Sequence, residues 1–316
     1  MERLDNARIL IYSHDSFGLG HLRRCRAIAH ALVDRFKGVS VLILSGSPII
    51  GSFDYLPRVD FVRIPGVIKL HNGEYQSLGL HIALDQTMAM RAAIIRQTAI
   101  SFRPDLFLVD KEPLGLNGEV AATLKMLKAK GTTLVLGLRD IMDEPVMLMR
   151  EWNRKRALPA LEHLYDDIWV YGQQSFADPL EGVVCPVSVR QKMVYTGYLR
   201  RSVPCLATPW TAPCGDRPYV LVTVGGGEDG VSVVDWALRA YEQDPTIPLG
   251  AVLLLGPFMA PACQQDFRAR AARLGGRVEV MTFDTHVERL IERAAGVVAM
   301  AGYNTFCEIL SLDKRA

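Results

Sequence analysis

The sequence predicts an α/β protein built from two Rossmann-like, doubly wound parallel-sheet domains. Three observations predict it. At 316 residues the chain is about twice the length of a typical single domain. Its strand-length apolar runs are continuous rather than alternating, as strands buried on both faces require. Helical patterns separate those runs, which is the signature of βαβ units with right-handed crossovers.

In the first domain, residues 1–198, the apolar runs fall at 8–13, 39–44, 61–64, 106–110, 133–138, 168–171 and 193–195. Between the first two, residues 21–36 place Leu22, Cys25, Ala29, Leu32 and Phe36 at spacings of three and four, which predicts one core-facing helical stripe. Residues 84–102 read the same way through Met88, Ala92, Ile95 and Ala99. Residues 199–218 lose all periodicity under Pro204, Pro209, Pro213, Gly215 and Pro218, and read as a linker. The alternation restarts with strands at 219–224, 251–255, 278–281 and 296–300, separated by helices near 231–242, 261–274 and 286–294. The second domain, 219–316, stops soon after a helix at 305–312, where another parallel strand is expected, so it reads as incomplete. Two such domains are expected to face each other across a cleft at the carboxyl ends of their sheets, where open α/β sheets bind ligands.

Composition narrows the function. Hydrophobic residues at 49% and charged residues at 22% exclude a disordered, collagenous or coiled-coil chain. Lys and Arg total 36 against 34 Asp and Glu, and the basic residues are scattered, so a nucleic-acid partner is not expected. The N-terminus lacks the basic-then-apolar order of a signal peptide, and no apolar stretch approaches the ~18 residues of a membrane span, which predicts a cytoplasmic protein. The six cysteines form no Cys-x-x-Cys pair and no zinc-type pattern, so no structural metal is expected.

The chemistry is sought in loops that follow strands. The first, 13–21, carries Gly18 and Gly20 before a helix, where a tight turn and free N–H groups suit a phosphate or a sugar. A dinucleotide fingerprint fails, because Arg23 stands at the third glycine position and no acid follows the second strand. No Gly-Lys-Ser/Thr is present either, which removes the P-loop. His21 opens the helix and is the candidate base; the plainer reading is a surface histidine. Further strands end in Asp110-Lys111-Glu112-Pro113 and in Arg139-Asp140, and 66–84 is a long polar insertion carrying Lys69, His71, Asn72, Glu74 and Tyr75. Asp110 and Asp140 read equally as turn or capping carboxylates.

In the second domain Gly225, Gly226 and Gly227 follow a buried strand, leaving amides for a phosphate or forming a mobile turn. Gly302 opens another strand-to-helix loop. There Thr305-x-x-Glu308 reads either as a capping box or as a ribose-binding carboxylate, and Thr285-x-x-Glu288 as a second capping box.

The strings Gly18-Leu19-Gly20-His21-Leu22-Arg23-Arg24-Cys25, Gly225-Gly226-Gly227 and Met300-Ala301-Gly302-Tyr303-Asn304-Thr305 with Glu308 resemble the GT-B glycosyltransferases. The resemblance is to the branch of the lipid II-forming N-acetylglucosaminyltransferase, and closest to a bacterial group that shares the Asp110–Pro113 and Leu138–Asp140 strings. It implies a C-terminal donor domain in which Gly225, Gly226 and Gly227, with Gly302, Asn304 and Thr305, approach the pyrophosphate. Glu308 is then the ribose contact, and the backbone near Thr282 and Phe283 meets the base. His21 is implied as the base or as a sugar or phosphate contact, with Asp110 or Asp140 next, and Gly18, Gly20, Glu112 and Arg139 as acceptor or sugar contacts. No metal and no cofactor is implied, the nucleotide-sugar being a substrate. The implied reaction is an inverting transfer from a UDP-sugar to an acceptor hydroxyl. No equivalent of the membrane-docking patch of the lipid II enzyme is evident, which leaves the acceptor and peripheral membrane contact open. A hydrolase or epimerase of nucleotide-sugars, or a non-catalytic nucleotide-sugar binder, would share the donor cradle.

Overall fold

The computed structural model describes residues 6–14, 19–69, 75–203, 213–215 and 217–316. The chain divides into two compact units and passes from one to the other between Leu199 and Arg200, with Gly20 grouped with the second.

The first unit runs β1 (Arg8–Tyr12), α1 (Gly20–Arg35), β2 (Ser40–Ser45), β3 (Val59–Arg63), β4 (Val67–Lys69), β5 (Tyr75–Ser77), α2 (Leu84–Phe102), β6 (Leu106–Asp110), α3 (Ala121–Ala129), β7 (Thr133–Arg139), α4 (Pro145–Arg154), α5 (Ala157–His163), β8 (Asp167–Tyr171), α6 (Val187–Arg190) and β9 (Met193–Tyr195). Seven strands form one parallel sheet in the order β3-β2-β1-β6-β7-β8-β9. Strand order therefore reverses between β1 and β6, the switch point at which doubly wound sheets open a crevice. The central strands are buried on both faces, as their unbroken apolar runs require: Leu10, Tyr12, Phe107, Val109, Leu136 and Leu138 share the core cluster on one face, and Ile9, Ile11, Leu108 and Val135 are buried on the other.

Packing shifts both predicted helix stripes. On α1 the buried set is Leu22, Arg24, Cys25, Ile28, Ala29 and Val33, with Leu32 and Phe36 left at the margin. On α2 it is Thr87, Arg91, Ile95 and Ala99, a strict four-residue spacing that puts an arginine inside the core. Hydropathy cannot reveal that stripe, because Arg91 is buried through its partners: Nε and Nη2 donate to the two oxygens of Glu119 at 2.6 and 2.8 Å, and Nη1 to Pro65 O at 2.6 Å. Tyr12 Oη donates to the same carboxylate. The polar insertion 66–84 is not wholly irregular, since β4 and β5 pair antiparallel with Val67 opposite Ser77. Its His71, Asn72 and Glu74 lie outside the described residues.

The second unit runs β10 (Tyr219–Thr223), α7 (Val231–Gln243), β11 (Gly250–Leu254), α8 (Pro261–Ala272), β12 (Val278–Met281), α9 (Val287–Arg293), β13 (Gly296–Ala299) and α10 (Tyr303–Ser311). Its parallel sheet has the order β12-β11-β10-β13, reversing between β10 and β13. Alternate residues of one strand serve opposite faces. Val222 and Leu253 pack with Val234, Leu238 and Phe267, whereas Leu221 and Val252 pack with Leu290 and Ile291. Helices thus cover both sides.

Neither capping box forms. α10 begins at Tyr303 with Gly302 as its N-cap, which puts Thr305 inside the first turn. α9 is capped by His286, whose amide donates to Asp284 Oδ1 at 2.6 Å, so Thr285 is not the cap. The stretch read as a linker is anchored at its start. Arg201 is buried, its amide donating to Ser311 Oγ at 2.9 Å and its Nη2 to Asn304 Oδ1 at 2.7 Å.

Candidate active site

The first unit gathers its chemistry at the carboxyl ends of β1, β6 and β7. His21 lies in the first turn of α1, which follows β1, and Asp110 is the last residue of β6, so the two flank the switch point. His21 Nδ1 is 2.5 Å from Asp110 Oδ2. Three residues along α1, on the same face, Arg24 grips that carboxylate with a fork: Nε donates to Oδ1 at 2.8 Å and Nη2 to Oδ2 at 2.7 Å. Arg24 Nη2 also lies 3.0 Å from His21 Nδ1. Nδ1 cannot serve both neighbours, and the closer carboxylate sets it as the protonated nitrogen. Nε2 then keeps its lone pair for a substrate.

Electrostatics support that division. Asp110 has no exposed side-chain surface. Burial alone would raise its pKa, but the Arg24 guanidinium and the His21 contact hold it well below the carboxylate range, so it stays ionised. Burial lowers the pKa of His21, partly offset by Asp110, which leaves the imidazole neutral near pH 7. The His21 side chain is 17% exposed, enough for one edge to meet a ligand. His14, two residues beyond β1, is buried and stacks edge-on against it with centroids 5.2 Å apart. Burial, and then His21, hold His14 well below the usual histidine range.

The remaining predicted residues divide. Asp140 is buried with both oxygens engaged, Oδ1 by the Ile141 amide at 2.9 Å and Oδ2 by Tyr198 Oη at 2.7 Å. The Ile141 contact is the one a turn carboxylate makes, and the Tyr198 contact ties it to the end of the first unit. Glu112 is buried and paired with Lys155 Nζ at 2.7 Å. Arg139 closes β7 half-buried. Gly20 is the first residue of α1, and Gly18 lies outside the described residues. Lys111, directly after Asp110, holds a left-handed φ of 64°, a strained conformation of the kind that gathers at working sites.

In the second unit the two glycine loops leave neighbouring strands. Thr223 pairs with Ala299, so the Gly225–Gly227 loop after β10 and the Ala301–Gly302 loop after β13 emerge side by side at the switch point. Gly225, at φ 62°, and Gly302 both have open space where a Cβ would stand. Gly227 does not: a Cβ there would meet Leu255 O at 2.3 Å, and its amide already donates to Val224 O. The Gly226 carbonyl accepts from the Phe258 amide at 2.9 Å. Ala301 is left-handed at φ 53°, which re-aims the chain into Gly302 and α10. Asn304 and Thr305 are buried in the first turn of α10, and Glu308 is only 1% exposed. Thr282 Oγ1 is held by Arg268 and donates to Gln264 at 3.3 Å, and Phe283 beside it is half-buried. Sequence reasoning assigned no role to Arg24, His14 or Arg201. Only Arg24 left a signal, an arginine three residues after His21 and so on the same face of the helix.

Among the described residues no group of three or more His, Cys, Asp or Glu side chains is placed to hold a metal ion. No helix among them is long and apolar enough to cross a membrane.

No family profile and no curated protein sequence matches the chain. Solved structures do match in fold. The glycotransferase of kitacinnamycin aligns over 96% of this chain and 78% of its own, with a TM-score of 0.56 at 15% identity. A ugt transferase from Siraitia grosvenorii, in complex with UDP, aligns over 97% and 78%, at 0.55 and 13%. A protein assigned as a UDP-N-acetylglucosamine 2-epimerase, from Listeria monocytogenes, aligns over 94% and 74%, at 0.55 and 13%. The likeness is one of fold: an α/β chain of two Rossmann-like domains, as in GT-B proteins.

Proposed function

We infer that the chain is a glycosyltransferase that moves a sugar from a UDP-sugar to an acceptor hydroxyl with inversion and without a metal. The observation that carries this reading is the His21–Asp110–Arg24 arrangement at the switch point of the first sheet. His21 Nε2 takes the acceptor proton as the oxygen attacks the anomeric carbon. The bond from that carbon to the diphosphate breaks, and the nucleoside diphosphate leaves with the electron pair. Asp110 is ionised and fully engaged, so it is a positioning residue that holds the imidazole tautomer and steadies the imidazolium; Arg24 fixes Asp110 in turn. General base catalysis of this kind is worth roughly 10²–10⁴-fold.

The donor is assigned to the second unit, where open space beside Gly225 and Gly302 lets a diphosphate approach the main chain and the N-terminus of α10 offers its amides. The UDP bound to one fold neighbour and the name of another support uridine as the base. Glu308 as the ribose contact and Thr282 with Phe283 at the base belong to the same proposal.

The test is thermal unfolding against a panel of nucleotides and nucleotide-sugars, followed by product analysis with EDTA present. The expected result is stabilisation by UDP, glycosylated product, inverted configuration and no loss on chelation. Free sugar released at the same rate with and without acceptor would assign hydrolysis instead, and binding with no turnover would assign a nucleotide-sugar binder.

A further inference from the structure

Buried guanidinium groups in the first unit have matched partners. Arg24 forks onto Asp110 and Arg91 onto Glu119. Arg139 departs from that rule. It closes β7, beside the strand that ends in Asp110, and its Nε is buried with no hydrogen-bond acceptor among the described residues. Nearby carboxylates are committed elsewhere: Asp110 to Arg24 and His21, Asp140 to Tyr198 and the Ile141 amide. Asp143 is half exposed, 3.8 Å from Lys111 Nζ. Burial, reinforced by the charge of Arg24, pulls the Arg139 pKa down and outweighs the opposing charges of Asp143, Asp110 and Asp140, none of which pairs with it directly. A cation stripped of much of its water, with a buried N–H that lacks an acceptor, is costly to hold, and an arriving anion relieves that cost. The planar fork of N–H groups suits two oxygens of one phosphate or carboxylate.

We propose that Arg139 docks an anionic group, phosphate or carboxylate, carried by the acceptor whose hydroxyl His21 deprotonates. The acceptor part of this statement rests on the transferase reading; anion binding at Arg139 does not. β7 lies two strands from β1, about 10 Å at the usual strand spacing, so the anion and the reacting hydroxyl belong to the same or neighbouring sugar rings of the acceptor.

The test follows thermal unfolding of the full chain with inorganic phosphate and, separately, with acetate at constant ionic strength, then with UDP. At least one of the two anions is expected to stabilise the wild type, and which one does so distinguishes a phosphate-bearing from a carboxylate-bearing acceptor. Its apparent Kd rises at least tenfold in Arg139→Gln and less in Arg139→Lys, while the UDP shift is unchanged in both. Equal anion responses in the wild type and Arg139→Gln overturn the proposal. Should Arg139→Gln fail to fold, Arg139→Lys decides, an undiminished anion response there being the overturning result. A wild type that responds to the anion but not to UDP sinks the donor assignment and leaves the Arg139 site standing.

Discussion

The smallest unit of the reading is one imidazole nitrogen. His21→Gln removes the lone pair at Nε2 and is expected to lower kcat by roughly 10²–10⁴-fold while UDP still binds. Because burial lowers the His21 pKa, the neutral base form is populated down to a pH below 6.5. kcat/KM should therefore rise with pH through an apparent pKa below that value and then level off. Asp110→Asn tests the positioning role. The carboxylate raises the His21 pKa, so its loss moves the acid limb to lower pH even as kcat falls. It also strands the buried Arg24 guanidinium, at a cost of about 3–5 kcal/mol in stability. A pH profile that stays put in Asp110→Asn would leave the carboxylate a purely structural part. The sequence made His21 legible at the opening of a helix and Asp110 and Asp140 at strand ends, with the two carboxylates next in line as bases. It did not show that His21 and the Arg24 fork meet on the one carboxylate of Asp110, because that meeting joins residues more than 80 positions apart.

At the scale of elements, β13 and α10 carry a clean probe. Gly302 has ordinary N-cap geometry, φ −61° and ψ 148°, with nothing within 4 Å of the position a Cβ would take. Threonine is about as good an N-cap as glycine, so Gly302→Thr should change stability by no more than about 0.5 kcal/mol. Its side chain would occupy the space assigned to the diphosphate, and the thermal shift with UDP should vanish. Persistence of that shift would remove Gly302 from the donor cradle. Gly227 is a different case, because its positive φ and the wall formed by Leu255 O make it a structural glycine. α2 offers a second test. Arg91→Met strands Glu119 beneath Tyr12 and should cost about 3–5 kcal/mol, whereas Arg91→Met with Glu119→Leu should recover much of it. Urea unfolding of the two variants measures this, and a single-mutant cost below about 1 kcal/mol would deny the pair a role in seating α2.

For the whole molecule, acid stability follows from the same buried groups. His14 and His21 have folded-state pKa values below the 6.5 of an unfolded chain, so as pH falls below 6.5 the unfolded state takes up protons that the folded state refuses. Stability should be full above that pH and decline below it, by up to about 1.4 kcal/mol per pH unit for each histidine. Asp110 adds a second loss at lower pH, because its depressed pKa contributes stability that fades only as pH drops below its ordinary value of 3.8. Urea midpoints from pH 8 to pH 5 check the first window, and His14→Gln should flatten the slope there. A wild-type profile that is level across that range would contradict the buried, neutral state of both rings.

By itself the sequence determined the α/β class, the alternation of strands and helices, and the loops where chemistry could sit. Those follow from local signals: unbroken apolar runs, glycines at turns and polar residues at strand ends. Only tertiary structure decided that β1 lies beside β6 and β10 beside β13, which brings His21 to Asp110 and sets the Gly225 loop next to Gly302. It alone put Arg24 and Arg91 inside the core and left the Arg139 Nε without an acceptor among the described residues. Each of those outcomes depends on which residues far apart in the chain come together, whose energies local propensity does not contain.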